Sequence, residues 1–246
     1  MVEGSSSSRL GELVGVPVWR EWWAWILDPR PDVPRTPDAT SGLRVWRSLF
    51  LLDALLMATV VAVFVGIQMV VGDLPGSSVF DRKGWSTVVA MVIIAPIIEE
   101  LLFRGWLPGK RGHLLGLLCA IMLPVLLFIP RLLIGSLSGG QILLVILVWV
   151  AATTLIYRGA TERSFVPPAY RRHFPLIFWL SNSLFAVMHM LNYKDGYEPI
   201  LFLMVVPQFI GGTILAYTRL RVGLRAAMTM HASTNGILVL LVLSNA

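Results

Sequence analysis

The segment Pro96-Ile-Ile-Glu-Glu-Leu-Leu-Phe-Arg104 continues an apolar run that begins at Trp85. Two adjacent carboxylates and a guanidinium therefore lie among residues that suit the hydrocarbon of a membrane. A charged side chain at that depth costs about 2.5–3.5 kcal/mol on insertion scales, and such residues indicate a functional site when partners can be named. Partners occur later in the chain, in the patterns Phe185-x-x-x-His189 and His231-x-x-x-Asn235. We therefore expect a membrane protein with a buried site of Glu, His and Asn side chains.

The composition of the chain is typical of a membrane protein. Of its 246 residues, 56% are hydrophobic and 14% are charged, whereas a soluble domain carries about 25% charged residues. The net charge of +6 does not indicate nucleic-acid binding, because the basic residues lie in short loops between apolar runs and form no single stripe. The single cysteine, Cys119, excludes a disulfide framework within the chain.

Seven apolar runs are long enough to span a bilayer. If the N-terminus is cytoplasmic, only four basic residues lie in outer segments, and all others outside the spans lie in inner segments. The sequence thus predicts an all-α polytopic bundle of about seven spans in the cell (plasma or inner) membrane, with the N-terminus in the cytoplasm. The predicted spans are Ser48–Val71, Trp85–Leu107, His113–Ile134, Ile142–Tyr157, Phe174–Tyr193, Ile200–Thr218 and Leu224–Leu243, and the outer basic residues are Arg82, Lys83, Arg131 and Lys194.

Residues 1–46 are predicted to be a cytoplasmic Trp- and Pro-rich segment, and residues 47–246 the transmembrane domain. The first segment has neither an apolar run of spanning length nor the pattern of a cleavable signal peptide. Its stretch Val18-Trp-Arg-Glu-Trp-Trp-Ala-Trp-Ile-Leu27 mixes charge with large aromatic area. Two interpretations stay open: a helix at the membrane interface, or a loosely ordered tail. Asp53, near the start of the first span, is interpreted as reaching back to the inner interface and not as catalytic.

The two carboxylates of the second span are expected to differ in role. Neighbouring helix residues are about 100° apart, so Glu99 and Glu100 cannot point in one direction. Glu100 shares a face with Arg104, four residues on, so Arg104 is predicted to neutralise Glu100 while Glu99 points into the bundle. Removal from water there suits Glu99 to take and return a proton near neutrality. Pro96 is predicted to kink the helix beside the site. The alternative is an ion pair that only locks helices together.

The two histidines complete a candidate hydrolytic site. His231 and Asn235 are four residues apart and face the same way, so an imidazole and a carboxamide can together hold the oxyanion of a tetrahedral intermediate. Glu99 with His189 can position and deprotonate a water. A Glu and two His are also plausible zinc ligands, although the chain lacks His-Glu-x-x-His. We interpret the site as metal-free and without a cofactor, and zinc held by ligands from three helices stays an open alternative.

At these residues the chain resembles the CPBP family, the CAAX-protease and bacteriocin-processing group of intramembrane proteases. The resemblance rests on Glu99-Glu100-x-x-x-Arg104 followed by Gly105, on Phe185-x-x-x-His189 and on His231-x-x-x-Asn235, and it covers residues 85–107 and 174–240. It implies a bundle of membrane helices with a site between them. The roles that it implies are activation of water by Glu99 and His189, stabilisation of the oxyanion by His231 and Asn235, and support from Glu100, Arg104 and Phe185.

The chain departs from the family pattern in one respect. An extra pair of apolar runs, about residues 112–158, separates two motifs that usually lie on consecutive helices. Counted along the spans, His189 lies near the outer end of its run, whereas Glu99 lies ~21 Å from the outer end of its own.

The sequence and the resemblance together predict an intramembrane endopeptidase. Its expected substrate is the terminal segment of a membrane-associated peptide or protein that enters laterally from the lipid bilayer, and no nucleic-acid partner is expected. One alternative is a non-enzymatic peptide-binding or bacteriocin-immunity protein that uses the same polar site. Another is a transporter or proton relay, since acidic and histidine side chains within spans also carry ions.

Overall fold

The structure is a computed structural model, and it describes residues 15–72, 74–78, 84–110, 112–118, 166–194 and 199–244, with isolated positions between 135 and 152. Apart from one isolated β-bridge between Ser77 and Tyr193, the secondary structure of these residues is helical. The principal helices in the described ranges are α1 Val16–Leu27, α2 Ala39–Val71, α3 Trp85–Arg104, α4 Pro168–Met188, α5 Ile200–Met204, α6 Val206–Arg221 and α7 Leu224–Ser244.

Five helical segments in the described part of the chain are long and apolar enough to cross a membrane. The prediction of an all-α polytopic bundle is therefore confirmed. The runs predicted at His113–Ile134 and Ile142–Tyr157, and with them most of the extra pair, fall largely outside the described residues. The five segments are Ala39–Val70, Trp85–Arg104, Pro168–Asn192, Ile200–Arg221 and Leu224–Ser244.

The first spanning helix begins earlier than predicted. Asp38 caps α2, since its Oδ1 accepts a 2.8 Å hydrogen bond from the Ser41 N–H, which satisfies a backbone donor that the first helical turn leaves free. The helix then runs without a break to Val71. The helix therefore extends on the N-terminal side of the apolar run predicted from Ser48, because the capping residue and not that run decides where the helix starts. The predicted domain boundary after residue 46 consequently falls inside α2.

The Trp-rich N-terminal stretch forms the helix α1, which packs against the rest of the protein. Trp22 and Trp25 are buried, and the Trp25 ring lies 4.8 Å from Phe178 and 5.5 Å from Tyr217 between ring centroids. Its partners therefore lie on α4 and α6. The stretch is therefore a helix and not a loosely ordered tail, and the buried face of this helix rests on protein.

The helix that carries the carboxylates contains a π-helical turn at Ala90–Ile94, followed by the α-helical segment Ala95–Arg104. Such turns widen the helix by one residue and are frequent at functional sites. Pro96 lies in the first turn of the α-helical segment, where a missing N–H is tolerated. The predicted distortion is thus a π turn that precedes the proline.

Helix α6 is central to the bundle and packs against α2, α4 and α7. Gly223, with φ of +144°, makes the tight turn from α6 to α7, a conformation that residues with a Cβ rarely adopt. The two helices therefore run as an antiparallel pair, and α7 also packs against α3. This arrangement brings His231 and Asn235 towards the two carboxylates.

Candidate active site

The two carboxylates of α3 point to different surroundings, as their spacing predicts. Glu100 is fully buried, and its Oε1 accepts a 2.8 Å hydrogen bond from Arg104 Nη1. The guanidinium lies over the Phe185 ring, with 3.8 Å between Cζ and the ring centroid, so a cation–π contact adds to the ion pair. Glu99 keeps 26% of its side chain exposed. The predicted pairing of Glu100 with Arg104 is present, and it leaves Glu99 free for other partners.

His231 joins the two carboxylates from helix α7. Its Nδ1 lies 3.0 Å from Glu100 Oε1, and its Nε2 lies 3.7 Å from Glu99 Oε2. A carboxylate can only accept, so Nδ1 carries a proton wherever Glu100 is ionised. Sequence reasoning gave Glu100 only the arginine as a partner, because contact between α3 and α7 is a tertiary feature.

His189 lies where α4 passes into the 3₁₀ turn His189–Asn192. Its Nδ1 donates a 2.8 Å hydrogen bond to the carbonyl of Phe185, which leaves Nε2 of a neutral ring as an acceptor. That Nε2 lies 3.9 Å from Glu99 Oε2. The Phe185 ring packs edge-on against both His189 and His231, with centroid distances of 4.7 and 6.1 Å. Phe185 thus holds both imidazoles in place.

Glu99 Oε2 lies between the Nε2 atoms of the two histidines. This oxygen is buried and has no hydrogen-bond partner among the described residues. Separations of 3.7 and 3.9 Å are too long for direct hydrogen bonds. A water placed among these atoms can donate one hydrogen bond to Glu99 Oε2 and the other to Nε2 of a neutral His189, so the geometry suits a water held by a carboxylate and an imidazole.

The same three side chains are those that would hold a zinc ion. Tetrahedral zinc with ligands at 2.0–2.1 Å places the ligand atoms about 3.3 Å apart, which is closer than the two separations to Glu99 Oε2. In the part of the chain that the structure describes, no three His, Cys, Asp or Glu side chains form a set of metal ligands.

Asn235 is held by a hydrogen bond to the main-chain carbonyl of Met91. The π turn and Pro96 together leave this carbonyl without a backbone N–H donor. The Ala95 N–H bonds to Ala90 O, five residues back, which is the π-helical pattern. In that register the next N–H would bond to Met91 O, but residue 96 is a proline and has none. Asn235 Nδ2 donates to Met91 O instead, at 2.9 Å. A carboxamide nitrogen carries two N–H groups, so one remains for a substrate.

Two residues that sequence reasoning did not assign to the site lie beside it. Arg219, on α6, donates from Nε to Arg104 O at 3.1 Å and from Nη2 to Gly105 O at 3.0 Å, and so caps the C-terminal end of α3. In the sequence, Arg219 stands at the end of an apolar run, and its charge alone led to its being counted among the basic residues of a loop. Asp53 was interpreted as reaching back to the interface, and this was wrong. It is 5% exposed and accepts a hydrogen bond from Thr234 of α7, because α2 begins at Ala39 and places it well inside the bundle.

The fold and the site define a polytopic membrane protein with two carboxylates, two imidazoles and a carboxamide enclosed between its helices. The family model described as "Type II CAAX prenyl endopeptidase Rce1-like" matches residues 81–169 and 140–237. These residues make up more than half of the chain, which therefore belongs to the Rce1-like family. The resemblance to CAAX proteases is confirmed. Membership supports a peptide hydrolase of the membrane whose substrate is a membrane-associated peptide. Comparisons with curated proteins and with solved structures give no match.

Proposed function

We propose that the protein is an intramembrane endopeptidase that cleaves the terminal segment of a membrane-associated peptide or protein by direct attack of water. The observation that carries the proposal is the position of Glu99 Oε2, which is without a hydrogen-bond partner among the described residues and lies within 3.9 Å of Nε2 of both His189 and His231. The proposal places the protein in the cell (plasma or inner) membrane with its N-terminus in the cytoplasm.

Glu99 and His189 are the groups that activate water in this mechanism. The water donates one hydrogen bond to the neutral Nε2 of His189, which orients its lone pair towards the substrate carbonyl. Glu99 takes the other proton as the oxygen attacks, and so acts as general base. Glu99 then returns the proton to the amide nitrogen as the C–N bond breaks. The site needs no Ser or Cys nucleophile for these steps.

His231 and Asn235 stabilise the oxyanion of the tetrahedral intermediate. The Glu100 carboxylate at 3.0 Å from Nδ1 can balance an imidazolium at His231, whose Nε2–H then faces the oxyanion. Asn235 supplies the N–H that Met91 O does not use. Removal of one such donor typically slows an enzyme about 10²–10³-fold. The net charge of the site is then zero, because the two carboxylates Glu99 and Glu100 are matched by two cations, Arg104 and the protonated His231. Pairing of the charges in this way reduces the free-energy cost of burying them.

The test is cleavage of a defined peptide by the protein in liposomes. The probes are a prenylated peptide that ends in a CAAX sequence and an unmodified single-span peptide with a short terminal extension. Glu99→Gln, His189→Ala and His231→Ala should each lower kcat about 10²-fold or more, with the proteins still folded. His173, exposed on α4, the helix that precedes His189, provides the matched control His173→Ala, which should cleave as the wild type does.

Three other outcomes would change the proposal. Loss of cleavage in chelator that zinc restores would replace the metal-free mechanism with a zinc-dependent one. Binding of the peptides without cleavage, equal in wild type and in Glu99→Gln, would favour the peptide-binding or immunity function. Cleavage that survives in Glu99→Gln would reject Glu99 as the base.

A further inference from the structure

Helix α2 carries a buried carboxylate that the proposed mechanism does not use. Asp53 is 5% exposed and lies within a candidate membrane span, where an acidic side chain is costly unless it has partners. It also precedes the matched residues of the family, which begin at residue 81. The cost of this carboxylate therefore requires an explanation from its contacts in this chain.

The contact of Asp53 is with the helix that bears the oxyanion residues. Its Oδ2 accepts a hydrogen bond of 2.9 Å from Thr234 Oγ1. The Thr234 hydroxyl also lies 3.2 Å from Met230 O on its own helix, and a hydroxyl has one proton for the two acceptors. The shorter contact is the one between helices, so this proton ties α2 to α7.

The Asp53 carboxylate lies against a glycine on α6. A Cβ on Gly211 would lie 3.4 Å from Asp53 Oδ1, whereas a Cβ on the adjacent Gly212 would lie 3.0 Å from Arg104 Nη2. The glycine pair therefore lets α6 pass between Asp53 on one side and the Glu100–Arg104 pair on the other. Asp53 and the active site are separated by little more than one backbone.

Thr234 shares a face of α7 with His231, which it follows by three residues. The adjacent Asn235 points about 100° away from Thr234. On its other side, α7 is held to α3 by Asn235 and Met91 O. Hydrogen bonds to α2 and to α3 thus fix the rotation of α7 about its own axis.

We propose that Asp53 is a positioning residue that, through Thr234, sets the rotation of α7 and thereby the placement of His231 and Asn235 for oxyanion binding. This inference rests on the proposed function, because it assigns a consequence for catalysis. Asp53 does not touch the reacting atoms, and it should act on kcat and not on substrate affinity.

The first test is kinetic and uses the full-length protein in liposomes with the cleaved peptide. Asp53→Ala and Thr234→Val should each lower kcat about tenfold, the size expected for one lost hydrogen bond, with KM unchanged. Thr234→Ser keeps the hydroxyl and should recover most of the rate that Thr234→Val loses. Asp53→Ala leaves Met230 O as the acceptor for Thr234, so no buried donor is stranded. Thr229→Val is the control, since Thr229 is exposed and bonds only within its helix in the described structure.

A double-mutant cycle separates positioning from general loss of stability. In an Asn235→Ala background the oxyanion donor is already absent, so Asp53→Ala should cost much less than it does in the wild type. The inference would be overturned if the fold loss of kcat in the double variant equalled the product of the losses in the two single variants. A normal kcat in Asp53→Ala, a change in KM equal to that in kcat, or failure of Thr234→Ser to recover the rate would also overturn it.

A second measurement needs no substrate and keeps the inference testable if the proposed function fails. In protein labelled with ¹⁵N, Asp53→Ala should move the resonances of the Asn235 carboxamide and the His231 ring, whereas Thr229→Val should leave them in place. Unchanged resonances would reject the positioning role. A wild type that cleaves neither peptide would reject the endopeptidase and leave this measurement to decide on Asp53.

Discussion

Asn235 donates a 2.9 Å hydrogen bond to the main-chain carbonyl of Met91, five residues before Pro96. Pro96→Ala would restore an N–H that competes with Asn235 for this carbonyl. We expect kcat to fall about five- to tenfold, the effect of one hydrogen bond, with KM and thermal stability unchanged. The measurement is steady-state cleavage together with a melting curve in detergent.

The control for this prediction is another proline within a helix. Pro175 lies inside α4, and Pro175→Ala should leave the Asn235 contact unchanged. Equal losses of kcat in Pro96→Ala and Pro175→Ala would show that helix distortion in general, and not the Met91 carbonyl, sets the rate.

Breaking the buried ion pair should cost more stability than any surface pair. Glu100 and Arg104 are 0% and 2% exposed, and removal of one buried partner leaves an uncompensated charge at a cost of about 3–5 kcal/mol. Glu100→Gln should therefore lower the free energy of unfolding by about that amount. Asp32→Asn, which removes the exposed pair with Arg171, should change it by less than about 1 kcal/mol.

The double variant Glu100→Gln/Arg104→Met distinguishes stability from catalysis. Removal of both charges should recover much of the stability, but it cannot restore the carboxylate that His231 Nδ1 contacts. We expect a folded protein with low kcat. Full activity of this variant would refute a role for Glu100 in supporting His231.

The spacing of side chains on one helix predicted local geometry well. Residues four apart lie on one face whatever the surroundings, so the pairing of Glu100 with Arg104 followed from the sequence. Hydropathy predicted the spans for a different reason. Every backbone group within the bilayer must be hydrogen-bonded inside the protein, which leaves few alternatives to helices.

The sequence did not predict how the helices are placed relative to one another along their axes. Counting along the spans placed His189 and Glu99 at different depths, whereas the structure brings their side chains to 3.9 Å. The height of one helix against another depends on packing contacts such as that between Phe103 and Phe185, 5.3 Å apart. Asp53 was misjudged for a related reason, because the cap at Asp38 lengthens α2 and moves this residue away from the end.

The glycine pair of α6 provides a steric prediction. A Cβ on Gly212 would clash with Asn182 Oδ1 and crowd Arg104 Nη2, and both groups are buried. Gly212→Ala should cost about 1–3 kcal/mol of stability, as overpacking does, and should lower kcat by displacing Arg104. Gly66→Ala on α2, where a Cβ would meet no atom within 4 Å, is the control and should have little effect on either. Wild-type stability in Gly212→Ala would contradict the close approach of α6 to the ion pair.

Two tryptophans of α1 that are two residues apart test whether this helix is part of the folded core. Trp25 is 7% exposed and packs on Phe178 and Tyr217, whereas Trp23 is 58% exposed. Deletion of a large buried ring costs about 3–5 kcal/mol, so Trp25→Ala should lower the unfolding free energy by roughly that amount and Trp23→Ala by much less. Glu21, whose Oε2 accepts a hydrogen bond from Tyr217 and lies 3.3 Å from Arg221 Nη2, adds a polar contact between α1 and α6.

Equal stability losses in the two tryptophan variants, measured by unfolding in mixed micelles, would argue that α1 does not rest on α4 and α6. A larger loss in Trp25→Ala would show that an N-terminal helix outside the matched family residues helps to hold the helices that carry the active site.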